Sequence, residues 1–167
     1  MTNTDSRKKI IILASILLLV VFLDQWTKTL AVKHLLGEPA ILYFNGLFQL
    51  VYAENPGAFL GMGGDWSRPL RFIIFGLFVL IGLVVMLWSL VKNRISKADL
   101  YAYSFILAGG IGNVIDRLSH DNGHVIDFLF IDLGYPYLRT GVFNIADVAI
   151  VIGFFIVLPS VFKKQPA

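Results

Sequence analysis

Two aspartates in this sequence stand alone in apolar surroundings. Asp127 interrupts the run VIDFLFI, and Asp147 lies near the start of the last long apolar run. Two carboxyl groups held close together cannot both ionise cheaply, so one keeps a proton while the other stays charged. Such a pair can activate water: the ionised member takes the water's proton, and the protonated member donates to the peptide carbonyl oxygen under attack.

Other catalytic residue types have little support. The absence of cysteine excludes thiolate catalysis, disulfides and Cys-based zinc sites. His120 and His124 flank a turn-forming Asp-Asn-Gly and lack the H-E-x-x-H zinc signature. Ser104 and Ser119 have no G-x-S-x-G elbow or base at suitable spacing. The stretch GGIGN lacks the Gly-Lys-Ser/Thr of a phosphate loop. Carboxylate chemistry is what remains.

The elements that position these aspartates are membrane helices. The chain is 57% hydrophobic and only 15% charged, a composition typical of bilayer proteins. Apolar runs cover residues 10–23, 69–91, 98–115 and 143–162, and the last three reach roughly 27 to 34 Å, enough to span. The first is too short alone, so its helix must continue through the polar DQWTK stretch. We therefore predict four spans, at about 10–28, 69–91, 98–115 and 143–162, in one domain that comprises residues 1–167.

The first run also admits a competing interpretation as a cleaved signal peptide. Three basic residues, Arg7, Lys8 and Lys9, precede it. Thr29 and Ala31 make a poor cleavage site, however, and DQWTK separates them from the run. We expect an uncleaved first helix.

The distribution of Lys and Arg predicts the orientation of the helices. One side carries Arg7, Lys8, Lys9, Lys92, Arg94, Lys97, Lys163 and Lys164, opposed by Asp5 and Asp99. We therefore expect both termini in the cytoplasm and the loops 36–68 and 118–142 outside. The net charge of +3 reflects this topology, because the basic residues follow helix ends and do not form a nucleic-acid-binding face.

The outer loops carry strand patterns. AILYF and LFQLVY flank Asn45-Gly46, which predicts a β-hairpin with a two-residue turn. The aromatic residues of this loop are expected of a platform at the level of the lipid headgroups. They are Tyr43, Phe44, Phe48, Tyr52 and Phe59. A soluble cap fits the periodicity equally well. In the second loop HDNG predicts a turn and VIDFLFI a strand. The expected fold is a membrane α-helical protein with a small extracytoplasmic β-platform.

Polar residues converge at one membrane depth. At about 1.5 Å per residue, Asp24, Asn113 and Asp147 lie about 21, 22 and 24 Å from the inner edge. Each has a polar partner on its own helix face, respectively Lys28, Arg117 and Asn144. Several such groups at one level suggest a site. Structural ion pairs, Asp24 with Lys28 and Asp116 with Arg117, are an equally open alternative.

Asp127 and Asp147 are the natural catalytic pair, because a strand beside the membrane can lay its acid across the end of the fourth helix. The small residues Ser104, Ala108, Gly109, Gly110 and Gly112 predict close helix packing and no chemistry.

Five motifs appear in order along the chain. They are D-Q-x-x-K at 24–28, N-x-G-A-F at 55–59, GGIGNVIDR at 109–117, VIDF at 125–128 and FNIAD at 143–147. Together, on a four-span profile, they closely resemble bacterial lipoprotein signal peptidase (signal peptidase II).

The resemblance implies an aspartyl endopeptidase of the bacterial inner membrane. Its substrates would be diacylglyceryl-modified prolipoproteins, cleaved just before the modified cysteine at an extracytoplasmic site, with inhibition by the cyclic peptide globomycin. Asp127 and Asp147 would be catalytic, with no metal or nucleotide, no nucleic-acid partner, and the protein a monomer among membrane lipid. The resemblance implies supporting or substrate-binding roles for Asp24, Lys28, Asn55, Gly57, Asn113, Arg117 and Asn144.

Two rival classes are disfavoured. A proton or ion carrier would place polar groups along the full membrane depth, whereas the inner halves of these helices are almost wholly apolar. The G-x-G-D signature of another intramembrane aspartyl protease group is absent, since Asn113 stands where the acid would be.

Overall fold

The computed structural model describes residues 3–58, 61–93, 95–135 and 137–162. The predictions that involve Phe59, Arg94, Lys163 and Lys164 lie outside the described residues, as does the side chain of Asp5.

Four long helices form a bundle: α1 (Asn3–Leu35), α2 (Arg68–Lys92), α3 (Lys97–Ser119) and α4 (Ile145–Phe162). Within the described residues, the first three helices are long and apolar enough to cross a membrane. α4 is also apolar, and its 18 residues reach about 27 Å. The bundle therefore confirms three predicted spans by length and composition, and the fourth stays a prediction.

The helix ends differ from the predicted ones. α1 continues beyond Lys28 to Leu35, because Asp24 and Lys28 find partners inside the bundle and do not end the helix. α3 extends to Ser119, and α4 begins at Ile145. Within α2, residues Phe72–Phe78 form a π-helical segment that the sequence did not predict.

Glycines bring α3 against α1 and α4. A Cβ on Gly109 would strike the carbonyl oxygen of Ala146, and one on Gly112 would lie 2.6 Å from Oδ2 of Asp24. Ser104 and Ala108 are fully buried on the same helix. The prediction that this small-residue stripe serves packing is confirmed.

The bundle has an apolar interior and an apolar exterior. Buried side chains from α1, α2 and α3 form one core cluster, namely Leu13, Leu83, Leu90, Leu100, Leu107 and Val114. Large apolar side chains such as Leu18, Phe78 and Phe155 point outward and are more than half exposed. An exposed apolar surface of this kind is expected where helices face lipid.

A three-stranded antiparallel sheet lies at one end of the bundle. Its order is β1 (Ile41–Tyr43), β2 (Phe48–Asn55) and β3 (Val125–Ile131), with Asn55 opposite Val125 and Phe48 opposite Ile131. The register shifts between Leu50 and Ala53. The predicted hairpin and the predicted strand VIDFLFI are both confirmed.

The predicted two-residue turn is wrong. Tyr43 pairs with Phe48, so the connection has four residues, 44 to 47. Phe44, Asn45 and Gly46 all have positive φ, at 53°, 57° and 90°. Positive φ is uncommon for a bulky residue such as Phe44, whose side chain is 79% exposed.

Candidate active site

Asp127 lies in β3, opposite Ala53 of β2, and its side chain is buried. Its Oδ1 accepts a hydrogen bond from Nδ2 of Asn144 at 2.6 Å, and its Oδ2 accepts one from Nδ2 of Asn55 at 3.1 Å. Burial raises the pKa of Asp127 to about 7, and the negative charge of Asp147 adds to the rise. The two amide hydrogen bonds act in the opposite direction but do not cancel the rise. Asp127 is therefore a carboxyl group that can hold a proton near neutral pH.

Asp147 lies in the first turn of α4, where a reciprocal cap fixes it. The backbone N–H of Asp147 donates to Oδ1 of Asn144 at 2.9 Å, and the backbone N–H of Asn144 donates to Oδ2 of Asp147 at 3.2 Å. This is the capping-box pattern, with Asn144 at the N-cap position. Nδ2 of Asn113 donates to Oδ1 of Asp147 at 2.9 Å. Asn113 of α3 is thus a hydrogen-bond partner of Asp147 from another helix.

Asn144 connects the two aspartates. Its amide nitrogen donates to Asp127 and its amide oxygen caps the helix that carries Asp147. The same nitrogen lies 3.1 Å from Oδ1 of Asn113. Because Asn144 is fully buried and both polar atoms of its amide group have hydrogen-bond partners, the orientation of that group is fixed.

Both aspartates line one cavity of about 250 Å³. Asn55, Asn113 and Arg117 contribute polar groups to its wall. The remaining wall is largely apolar, with Val79, Val142, Phe143, Ile150 and Val151 among its residues. The cavity is large enough for water and a short stretch of peptide beside the carboxyl groups.

Beneath this cavity lies a buried cluster centred on Lys28. Its Nζ is 2.8 Å from Oδ2 of Asp24, 2.9 Å from Oδ2 of Asp116 and 3.1 Å from Oδ1 of Asn113. All three charged side chains are at most 3% exposed. The cluster joins α1 to α3 directly under the catalytic candidates.

The cluster has two carboxylates and only one cation, and backbone N–H groups stabilise the excess negative charge. Oδ1 of Asp24 accepts from the N–H of Ala146 at 2.9 Å, at the positive N-terminal end of α4. Oδ2 of Asp116 accepts from the N–H of Ile126 at 3.0 Å, next to Asp127. The cluster therefore also fixes the elements that carry Asp127 and Asp147.

The alternative of structural ion pairs is half right. Asp24 and Lys28 form the expected pair, but the predicted pair of Asp116 with Arg117 is wrong. Asp116 turns inward to Lys28 and to Nε2 of Gln25, which donates at 2.9 Å. The site prediction omitted Asp116 and Gln25. Their membership of the two motifs at 109–117 and 24–28 was the signal that could have identified them.

Arg117 holds the loop that follows β2. Its Nη2 donates to the carbonyl oxygen of Gly57 at 2.8 Å, and its Nη1 donates to that of Asn113 at 3.0 Å. Oδ1 of Asn55 accepts from the N–H of Gly57 at 3.0 Å. A Cβ on Gly57 would meet the carbonyl oxygens of Met62 and Gly61. The loop 55–58 is therefore held in the conformation that turns Asn55 toward Asp127.

The structure thus brings all nine predicted site residues into one hydrogen-bonded network. Seven surround the two aspartates: Asp24, Lys28, Asn55, Gly57, Asn113, Arg117 and Asn144. Within the described part of the chain, no group of three or more His, Cys, Asp or Glu is placed to hold a metal ion. The absence of a metal from the chemistry stays a prediction.

Fold and site together define a helical membrane protein with two carboxyl groups, one buried and one half-buried, in one cavity at the end of its bundle. Residues 16–163 match the family model of signal peptidase (SPase) II. The chain therefore belongs to the signal peptidase II family of peptidases, which confirms the resemblance of the five motifs.

Individual relatives agree with this assignment. A lipoprotein signal peptidase of Pelodictyon phaeoclathratiforme is 40% identical over 147 residues, which cover 83% of each chain. One of Thermodesulfovibrio yellowstonii is 38% identical over 146 residues, covering 87% of this chain and 91% of the relative.

Two solved bacterial membrane enzyme structures resemble the chain. The first is 25% identical in sequence and has a TM-score of 0.76. Its match covers 92% of this chain and 94% of the chain in the solved structure. The other, at 24% identity, has a TM-score of 0.74 and covers 93% of both, which supports the fold.

Proposed function

We propose that this protein removes signal peptides from diacylglyceryl-modified prolipoproteins by an aspartate-activated water, cleaving just before the lipid-modified cysteine. The observation that carries the mechanism is the pairing of Asp127 with Asp147 through Asn144, in a cavity that both line. The substrate class comes from the family and from relatives named lipoprotein signal peptidases.

The proposed reaction needs one proton shared between the two carboxyl groups. In this scheme Asp147 is the ionised member, and Nδ2 of Asn113, which donates to its Oδ1, orients the carboxylate. Asp127, with its pKa raised to about 7, carries the proton. Asp147 takes a proton from water as the oxygen attacks the scissile carbonyl, and Asp127 donates its proton to the carbonyl oxygen.

Collapse of the tetrahedral intermediate completes the cycle. The C–N bond breaks, and the proton that Asp147 received passes to the leaving amine. The hydroxyl proton of the intermediate returns to Asp127 as the carboxyl product forms. The pair is then in its starting state, with one proton, and no metal or other cofactor enters any step.

The supporting residues act by orientation. Asn55 and Asn144 aim the Asp127 carboxyl, and Asn113 aims that of Asp147. Asp24 and Lys28 fix the helices beneath, while Arg117 and Gly57 fix the loop that carries Asn55. Such positioning matters because small displacements of catalytic groups are costly in rate.

The proposed location is the bacterial inner membrane, with the site on the extracytoplasmic side and both termini in the cytoplasm. The bias of basic residues supports this orientation, since Lys92 and Lys97 lie at the bundle end opposite the sheet. There Lys9 donates to the carbonyl oxygens of Val91 and Asn93 at 3.3 and 2.8 Å. The proposed oligomeric state is a monomer surrounded by lipid.

The exposed backbone of the hairpin supports a second hypothesis, that the platform holds the signal peptide in extended form by strand addition. β1 is an edge strand and lies two strand spacings, about 10 Å, from β3. A peptide strand added at β1 would lie about 14 Å from the strand that carries Asp127, so the scissile bond would have to lie beyond the paired segment. Crosslinks from positions 43 to 52 that never capture substrate would contradict this hypothesis.

The test is the reaction itself. Purified protein is incubated separately with a diacylglyceryl-modified prolipoprotein and with the same precursor lacking the lipid. The masses of the products are measured by mass spectrometry. The proposal predicts cleavage before the cysteine in the modified precursor only, and its suppression by globomycin. Cleavage at another bond, or equal cleavage of the unmodified precursor, would contradict it.

A further inference from the structure

A second cavity, of about 150 Å³, lies beside the loop 55–58. Arginines from two helices line it: Arg68 and Arg71 from the start of α2 and Arg117 from α3. Phe72 and Phe75 provide an apolar wall, and Asp121 contributes one carboxyl group. Three guanidinium groups against one carboxylate make this cavity electropositive. We call it the arginine cavity.

Among the described residues, no ion pair within 4 Å joins an arginine of the arginine cavity to a carboxyl group. The ion pairs of the described residues involve Lys28 and His124, and none of the three arginines. The Nε atoms of Arg71 and Arg117 are buried and have no hydrogen-bond partner within the described chain. Buried donors without acceptors are unfavourable, so an anion that brings several oxygen acceptors would stabilise this arrangement.

The position of the arginine cavity indicates which anion is available to bind there. Arg68 is the first residue of a helix of membrane-spanning length, so it lies at the boundary between hydrocarbon and water. Phospholipid phosphate groups lie at that level. A phosphate offers several oxygens to the forked donors of arginine, and Phe72, 51% exposed, gives an adjoining acyl chain an apolar surface.

From the charge, the unpaired donors and this position, we propose that the arginine cavity binds the phosphate group of a membrane phospholipid. The site is separate from the proposed peptidase chemistry but touches it. Nη1 of Arg71 donates to the carbonyl oxygen of Pro56 at 3.0 Å, and Arg117 donates to that of Gly57. A bound phosphate would therefore steady the two arginines that hold the loop 55–58.

The test measures lipid binding by native mass spectrometry on delipidated protein in detergent. Phosphatidylglycerol and inorganic phosphate are titrated separately into wild type, Arg68→Gln and Arg139→Gln. Arg68 is exposed and outside the hydrogen-bonded site, and Arg139 is an exposed arginine away from the cavity. Arg68→Lys, which keeps the charge but loses the fork, provides a second variant.

Arg68→Gln is expected to raise the Kd for phosphatidylglycerol at least about tenfold, the usual loss for one charged hydrogen bond. Arg68→Lys should lie between it and wild type, and Arg139→Gln should equal wild type. Equal lipid affinity in Arg68→Gln and wild type would overturn the proposal. Inorganic phosphate binding as tightly as the lipid, with the same dependence on Arg68, would overturn the assignment to a lipid.

Discussion

The side-chain amide of Asn144 donates to the carboxyl group of Asp127 over 2.6 Å, although Asn144 precedes α4 and Asp127 lies in the sheet. The same side chain caps the helix that carries Asp147. One buried residue therefore fixes the position of one aspartate relative to the other. Together with the hydrogen bond from Ile126 to Asp116, this residue links the sheet to the helix bundle, on which the proposed chemistry depends.

Replacing Asn144 by serine should separate its two roles. Serine can cap α4 but cannot donate an amide hydrogen bond to Asp127. We expect Asn144→Ser to keep α4 capped and to lower the thermal midpoint only modestly, through the buried acceptors left unpaired, while kcat/KM falls about tenfold to hundredfold. Wild-type cleavage by Asn144→Ser would show that this hydrogen bond does not orient Asp127.

The rate of cleavage should fall at alkaline pH. The pKa of Asp127 is raised to about 7, so its proton is present below that pH and lost as the pH rises through it. We expect kcat/KM to fall about tenfold per pH unit on the alkaline side. Asn55→Ala removes a hydrogen bond that lowers this pKa, so it should move the fall to higher pH. A rate that still increases at pH 9 is incompatible with a shared proton.

Lys28 should be essential for stability. Lys28→Met leaves Asp24 and Asp116 buried without their cation, which costs on the order of 3 to 5 kcal/mol. We expect a clear drop in the thermal midpoint in detergent. Lys33→Met, an exposed lysine on the same helix, is the matched control and should melt like wild type. Equal midpoints for the two variants would show that the cluster does not hold the bundle together.

Gly57 should tolerate no side chain. A Cβ there would lie 2.6 Å from the carbonyl oxygen of Gly61, so the loop must shift and carry Asn55 away from Asp127. Gly57→Ala is expected to lower kcat/KM at least about tenfold, on the loss of that hydrogen bond. Gly82→Ala, where the added Cβ meets nothing within 4 Å, should cleave normally. Normal cleavage by Gly57→Ala would mean that the loop does not position Asn55.

Hydrophobic pattern and local spacing predicted most of the architecture. The apolar runs predicted three helices whose length and composition allow them to cross a membrane. The motif VIDFLFI predicted the strand that carries Asp127. Asp24 with Lys28 and Asn144 with Asp147 were predictable because helical spacing puts each pair on one face. Contacts between residues within about one turn of the same helix can be predicted from their spacing in the sequence.

Depth along the helices predicted which polar residues converge, but not which side chains pair between distant segments. Asp116 pairs with Lys28 and not with the adjacent Arg117, because the fold turns Asp116 inward and Arg117 toward the loop 55–58. Nothing local distinguishes these two directions. The end of α1 was missed for the same reason, since hydropathy counts Lys28 as a polar stop while its tertiary partners satisfy it.

We propose that Asp127 and Asp147 act together on one water, and single substitutions at these two positions provide the decisive test. Cleavage of a diacylglyceryl-modified prolipoprotein is measured for Asp127→Asn, for Asp147→Asn and for Asp65→Asn, which alters an exposed acid outside the site. Both site variants are expected to insert into the membrane but lose cleavage, while Asp65→Asn should cleave like wild type. Substantial cleavage by either site variant would contradict it.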